Sequence, residues 1–196
     1  HTRCGMVTGV QTCALPRSTL SSGSTTTTIT DSDGTGVGLG DTAITNGLNI
    51  TGAELQNITA TGFEIATVGG VTVDNITAAN SNNLSGTTTL DATGLITFAT
   101  AASVFNTLAV EADGGVAVNV DLSTDTGALA IDSDIDNGDS GTLNFAAGVT
   151  VASADTLSLD AAATAGIVGA GALDLDAAAG ITINNNLTTA RATDLV

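Results

Sequence analysis

Apolar and polar residues alternate along this chain in short runs, each closed by Gly, Asn or Asp. Examples are LNITG (48–52), FEIATVGG (63–70), VTVDNIT (71–77), LITFAT (95–100), VAVNVDL (116–122) and ITINNNL (181–187). A period of two with turn residues at the boundaries is the signature of strands; a helical period is hard to find. Within these runs a tighter form recurs: TLAVE (107–111), ALAID (128–132), TLNFA (142–146), TLSLD (156–160) and ALDLD (172–176). Each has a small residue, Leu, any residue, an apolar residue and then usually an acid. Both apolar positions point to one face, because side chains alternate across a strand.

The starts of these copies are 21, 14, 14 and 16 residues apart. Units this small cannot bury their own apolar face, so they must stack on one another. The uneven step predicts a coil of two or three short strands joined by corners of variable length. The expected class is all-β, a parallel β-helix (β-solenoid) of short irregular repeats. At about 20 residues per coil and about 4.8 Å between strands, the repeat region would make about nine coils and a rod of about 43 Å. Hairpin turns such as Asn46-Gly47 and Asn137-Gly138 are compatible with antiparallel pairing. Strands so short, with such small side chains, would make only a weak sandwich.

Composition sharpens this picture in three places. The segment 1–16 holds the only His, both Cys (Cys4, Cys13), the only Met and the only Pro. Its run VTGVQTCALP (7–16) resembles the in-frame translation of a sequencing-library adapter, so residues 1–16 are set aside as unstructured and adapter-derived. The two cysteines then carry no information about redox compartment. Residues 17–40 are a low-complexity Ser/Thr/Gly segment, either the first coil or disordered, and 41–196 are the solenoid, expected to be truncated at both ends. Past Pro16 the chain has no His, Cys, Lys, Met, Pro, Trp or Tyr, and aromatics are 2% of the whole.

Charge excludes several partners. The chain carries 20 acidic residues against three basic ones, a net charge of −17. Nucleic acid and anionic membrane surfaces both require clustered Lys and Arg. The longest small-apolar run, AAATAGIVGAGAL (161–173), is too short to span a bilayer, so no membrane insertion is expected.

The repeat region 86–189, and more loosely 41–85, resembles filamentous-haemagglutinin-like exoproteins and autotransporter passengers. GALAIDSDIDNGDSGTLNFAAGVTV (127–151), DTLSLDAAA (155–163) and GALDLDAAAGITINNNLTT (171–189) carry the likeness. The resemblance implies a right-handed parallel β-helix, export to the bacterial cell surface or medium, and adhesion or scaffolding. Glycans or cell surfaces would be its partners, and exposed end coils would favour end-to-end self-association of the fragment.

Few motifs carry chemistry. Asp132, Asp134, Asp136 and Asp139 form a D-x-D-x-D-x-x-D loop with the oxygen ligands a calcium ion prefers. The EF-hand glycine would fall at Asn137 and its closing Glu at Leu143, so a solvated corner is the competing reading. Asp31-Ser32-Asp33-Gly34 is a weaker version. GIVGAG (166–171) lacks phosphate-loop spacing and its Lys, and reads as a tight corner. Sequons at Asn49, Asn57, Asn75, Asn83 and Asn186 read as corner asparagines. The Thr run 25–30 lacks the constant period an ice-binding face needs. Without His, Lys, Cys or Tyr past the first segment, no enzyme is expected. A polysaccharide-acting β-helix using paired acids is the main alternative, and a calcium-stabilised extracellular module the next. Asp174 and Asp176 are expected to be solvated strand positions.

Overall fold

The computed structural model describes residues 19–45, 47–138 and 140–196. The adapter-like segment, Asn46 of the Asn-Gly pair and Asp139 of the acidic loop lie outside the described residues.

The described residues wind as a parallel β-solenoid of seven coils. The first contains β1 (Leu20–Ser21), β2 (Thr26–Asp31), β3 (Val37–Gly40), β4 (Leu48–Ile50) and the one-turn helix α1 (Gly52–Leu55). The second contains β5 (Ile58–Thr59), β6 (Gly62–Thr67), β7 (Val71–Asp74) and α2 (Ala78–Ser81). From there each coil has three strands. They are β8 (Thr88–Ala92), β9 (Ile96–Phe98) and β10 (Ser103–Phe105); β11 (Leu108–Ala112), β12 (Val116–Val118) and β13 (Leu122–Thr124); and β14 (Leu129–Asp132), β15 (Leu143–Phe145) and β16 (Val149–Ser153). The last two coils are β17 (Thr156–Asp160), β18 (Ile167–Gly169) and β19 (Leu173–Ala177), then β20 (Gly180–Ile183), β21 (Leu187–Thr189) and β22 (Thr193–Leu195).

Stacking these coils makes three long parallel faces. The first is β2-β6-β8-β11-β14-β17-β20, and the second runs from β21 through β9 and β7 to β3 and β4. The third, β10-β13-β16-β19-β22, is shorter because α1 and α2 take its place in the first two coils. A two-stranded pair, β1-β5, sits where the chain enters the first face.

Register defines the interior. Ile65, Leu90, Val110, Ile131 and Leu159 stack in one column of the first face. Val71, Ile96, Val116, Leu143 and Ile167 do the same in the second. All ten are at most 1% exposed, and the four phenylalanines are buried in the same core. Parallel neighbours at about 4.8 Å let like side chains nest, which is why small β-branched residues suffice here.

Coil length varies, as the uneven step in the sequence predicts, but exceeds the expected average of about 20 residues. Thr27, Phe63, Thr88, Leu108, Leu129, Leu157 and Ile181 are equivalent positions. The steps between them run from 20 residues (Thr88 to Leu108) to 36 (Thr27 to Phe63). Seven rungs therefore replace the expected nine, and six steps give about 29 Å of rod. The recurring motif also mixes faces. TLAVE, ALAID and TLSLD belong to the first face, TLNFA to the second and ALDLD to the third. The same in-out alternation serves any face of the coil, so the motif marks strands and not coils. GIVGAG is a corner only in part: Ile167–Gly169 are β18, with Gly166 (φ +71°) at the preceding corner, Ala170 and Gly171 after the strand, and Gly169 lying over Thr189.

The helices were not expected. Each begins with a capping box, in which the N-cap Thr and the third helical residue satisfy one another: Thr51 with Glu54, Thr77 with Asn80. Four residues cannot hold a helix alone. Stacking holds them: Gly52 approaches Asn80 so closely that a Cβ there would lie 2.9 Å from Asn80 Oδ1, and Asn83 Nδ2 donates to Gln56 O at 2.7 Å. No helix among the described residues is long and apolar enough to cross a membrane.

Candidate functional site

The acidic loop spans the corner between β14 and β15. Its carboxylates are engaged with their own backbone. Asp132 accepts from Asp134 N at 3.0 Å, and the exposed Asp136 accepts from Gly138 N at 2.8 Å. Asp134 is buried and accepts from Ser140 N at 3.4 Å and Gly141 N at 3.3 Å. Such side-chain-to-backbone turns are what Asp supplies when a corner must be folded tightly. Among the described residues no group of three His, Cys, Asp or Glu is arranged to hold a metal ion.

Asp31 and Asp33 close the same corner in the first coil. Asp31 accepts from Gly36 N at 3.1 Å and from Thr67 Oγ1 at 2.7 Å. Asp33 accepts from Thr35 Oγ1 and N, and these hydrogen bonds hold its carboxyl below the usual range.

A second acidic feature emerges only from register. On the outward side of the first face Asp91 pairs with Glu111, Glu111 with Asp132, and Asp132 with Asp160. Four carboxylates thus stand in one column, one rung apart. Glu64 lies diagonally below, on β6, where it accepts from Thr28 Oγ1 at 2.8 Å. Like charges directly across a ladder are unfavourable. Partial burial, followed by repulsion from Glu64 and Asp113, pushes the Asp91 carboxyl up. Burial, then Asp91, Asp132 and Glu64, does the same to Glu111. At the far end Asp160 accepts from amides: Asn185 Nδ2 donates to it at 2.6 Å and Asn184 Nδ2 at 3.2 Å.

Beside this ladder lies an open groove of about 690 Å³ over the first coils. Thr25, Thr61, Thr87, Thr89, Glu64 and Glu111 are among its lining residues. It offers hydroxyls and carboxylates and no aromatic platform. The ladder was half visible in the sequence. Glu111, Asp132 and Asp160 are the terminal acids of three motif copies, but their alignment depends on the 21- and 28-residue steps between Leu108, Leu129 and Leu157. On the third face Asp176 is exposed as expected. Asp174 differs: it is half-buried, and its Oδ1 is buried without a hydrogen-bond partner.

No family model, curated protein or solved structure matches this chain.

Proposed function

We propose that this chain is a rod segment of a large bacterial surface or secreted protein, which extends and presents a surface for adhesion. The continuous parallel stack carries this reading. Two faces run the length of the coils and a third joins them from the third coil on, and the outward position of the second face is Thr72, Thr97, Ala117, Asn144, Val168 and Thr188 in successive rungs. Small, mostly uncharged outward residues on a regular lattice suit extended contact with glycans or a cell surface and carry no catalytic group. The resemblance to haemagglutinin-like exoproteins points the same way, and adds right-handed winding and export. Glycan-array binding without turnover is the expected result. Absence of binding to glycans and to intact cells would overturn the adhesive part.

A second reading has its own observation. The column Asp91–Glu111–Asp132 beside a hydroxyl-lined groove places acids together on one stacked face, as a polysaccharide-cleaving β-helix would need. Carboxyls held above their usual range suit general acids. Cleavage of a polysaccharide panel, abolished by Glu111→Gln, would replace the rod by an enzyme.

A further inference from the structure

The chain holds two Asn-Gly pairs, Asn46-Gly47 and Asn137-Gly138. Asn-Gly is chemically labile. The glycine nitrogen can attack the amide carbon of the preceding side chain, because no Cβ hinders its approach. The attack needs a backbone free to turn, so the fold decides which pair reacts.

At the acidic corner the pair stands on the tip. Ile135, Asp136, Asn137 and Gly138 are all exposed, and Asn137 is left-handed (φ +55°). Among the described residues Asn137 and Gly138 bond only within the tip. Asn137 N donates to Asp134 O at 2.9 Å, Asn137 Nδ2 to Ile135 O at 3.3 Å, and Gly138 N to Asp136 Oδ1 at 2.8 Å. These bonds can break without disturbing a strand, because the loop is tied lower down, where Ser133 Oγ donates to Gly141 O at 3.2 Å and Ala162 N at 2.9 Å. Gly47 is the opposite case. It is buried, and its nitrogen donates to Ile44 O at 3.3 Å. A Cβ there would lie 2.6 Å from Gly36 O and 2.8 Å from Ile44 Cγ2, and the next residue already begins β4. For that nitrogen to attack, the packing must open first.

We infer that Asn137 is a site of spontaneous backbone rearrangement, and that the folded rod shields Asn46 from the same reaction. Gly138 N bonds to Asn137 Cγ as the bond from Cγ to Nδ2 breaks. The proton lost by Gly138 N ends on Nδ2, which leaves as ammonia. Asp136 Oδ1 already accepts that proton's hydrogen bond, and so stands where it is released. Water, the one co-reactant, then opens the cyclic imide at either carbonyl. One opening leaves Asp, and the other leaves isoaspartate, with the main chain rerouted through the side chain. Either product adds a carboxylate to a corner that already holds Asp132, Asp134 and Asp136, and isoaspartate lengthens the tip by one backbone atom.

Incubating the whole folded chain in mildly alkaline heavy-oxygen water tests this, with peptide mapping by mass spectrometry. Label should enter at Asn137, with isoaspartate among the products. At Asn46 it should enter about tenfold more slowly or less, since opening of a buried turn is added to that barrier. In urea, where the packing around Gly47 is gone, the two sites should react at similar rates. Gly138→Ala should slow the reaction at residue 137 by about tenfold, by hindering the nucleophile. That variant has room to fold: its Cβ would meet only the exposed Asp136 carboxylate, at 2.8 Å, which can swing away. Equal rates at the two sites in the folded chain, a slow Asn46 that stays slow in urea, label without isoaspartate, or a Gly138→Ala rate equal to wild type would each overturn the inference.

Discussion

The corner between the first and second faces is built in two ways, and the contrast explains how an irregular sequence keeps a regular rod. In the first four coils it is short and rich in glycine, with Asp31 and Asp33 assisting in the first. Gly36, Gly69, Gly70, Gly94 and Gly114 stack so closely that a Cβ on any of them would lie 2.5–2.8 Å from backbone of a neighbouring coil. In the fifth coil the same corner is a loop from Ser133 to Thr142, folded by Asp side chains. The glycine corner fixes spacing by contact between backbones. The acidic corner fixes only its own base, where Gly141 N meets Asp134, Ser133 Oγ donates to Gly141 O, and Ala162 N of the next coil donates to Gly141 O at 2.9 Å. The strands it joins remain in register with their neighbours on both sides.

The sharpest way to break the contrast is at the two glycines the corners most depend on. A Cβ on Gly141 would fall 1.5 Å from the Ser133 carbonyl oxygen, with no side chain able to yield. Gly141→Ala should therefore cost about 4 kcal/mol or more. Gly36→Ala places its Cβ 2.8 Å from Gly70 O at φ +92°, and should cost about 3 kcal/mol, from conformation and overpacking together. Urea unfolding of both variants checks the order. A smaller effect in Gly141→Ala would mean that the loop base is not the anchor described.

Next in size is Asp134→Ala. Losing a buried acceptor leaves the loop's N–H groups unpaired, a cost of about 1–3 kcal/mol. Hydrogen exchange should quicken first at Ser140 and Gly141. Uniform exchange over the rod would instead make the residue part of the global fold.

Acid should act oppositely at the two places. Asp91 and Glu111 have folded-state carboxyls raised above their ordinary 3.8 and 4.5. The folded state therefore binds their protons more readily than the unfolded one. The ladder's repulsion is fully present above the raised values, is relieved as pH falls through them, and is gone below the ordinary values. Glu111→Gln should stabilise at neutral pH by about 0.2–1 kcal/mol, and the gain should disappear near pH 4. Asp33 runs the other way: its lowered carboxyl favours folding above its ordinary 3.8, an advantage lost as pH falls through the lowered value. Melting temperatures from pH 2 to 8 would show both signs, and a Glu111→Gln melting curve parallel to wild type would remove the ladder from the account.

The smallest expected effect is that of calcium. With Asp132, Asp134 and Asp136 already accepting from backbone N–H groups, millimolar calcium should move the melting temperature no more than magnesium does. A calcium-specific rise lost in Asp136→Asn would establish an ion in the loop.

What could be read in the sequence was what alternation alone determines. The inward residues of β6, β7, β11 and β14 follow directly from their apolar–polar rhythm. VAVNVDL looked like one strand but turns a corner between β12 and β13, because alternation continues through Asn119 to Asp121. The helices left a trace as well: Asn49-Ile-Thr-Gly-Ala and Asn75-Ile-Thr-Ala-Ala are two copies of one pattern, each opening a capping box. Four residues are too few to show a helical period. The glycine stack and the acidic ladder were out of reach for another reason. Each depends on which residue lies one coil away, and coil length varies too much for spacing to say.

The acidic corner also makes the rod extensible in sequence. Between Leu129 and Leu157 the chain spends 28 residues on a coil that takes 20 between Thr88 and Leu108, yet Val116, Leu143 and Ile167 still stand in one column. Its surplus is shed outward beyond a base tied by Ser133 and Gly141, so the exposed tip at Ile135–Gly138 is a natural place to graft a foreign peptide. The rod would then carry that peptide as cargo on a rigid pitch, and the glycine corners below would not register the insertion.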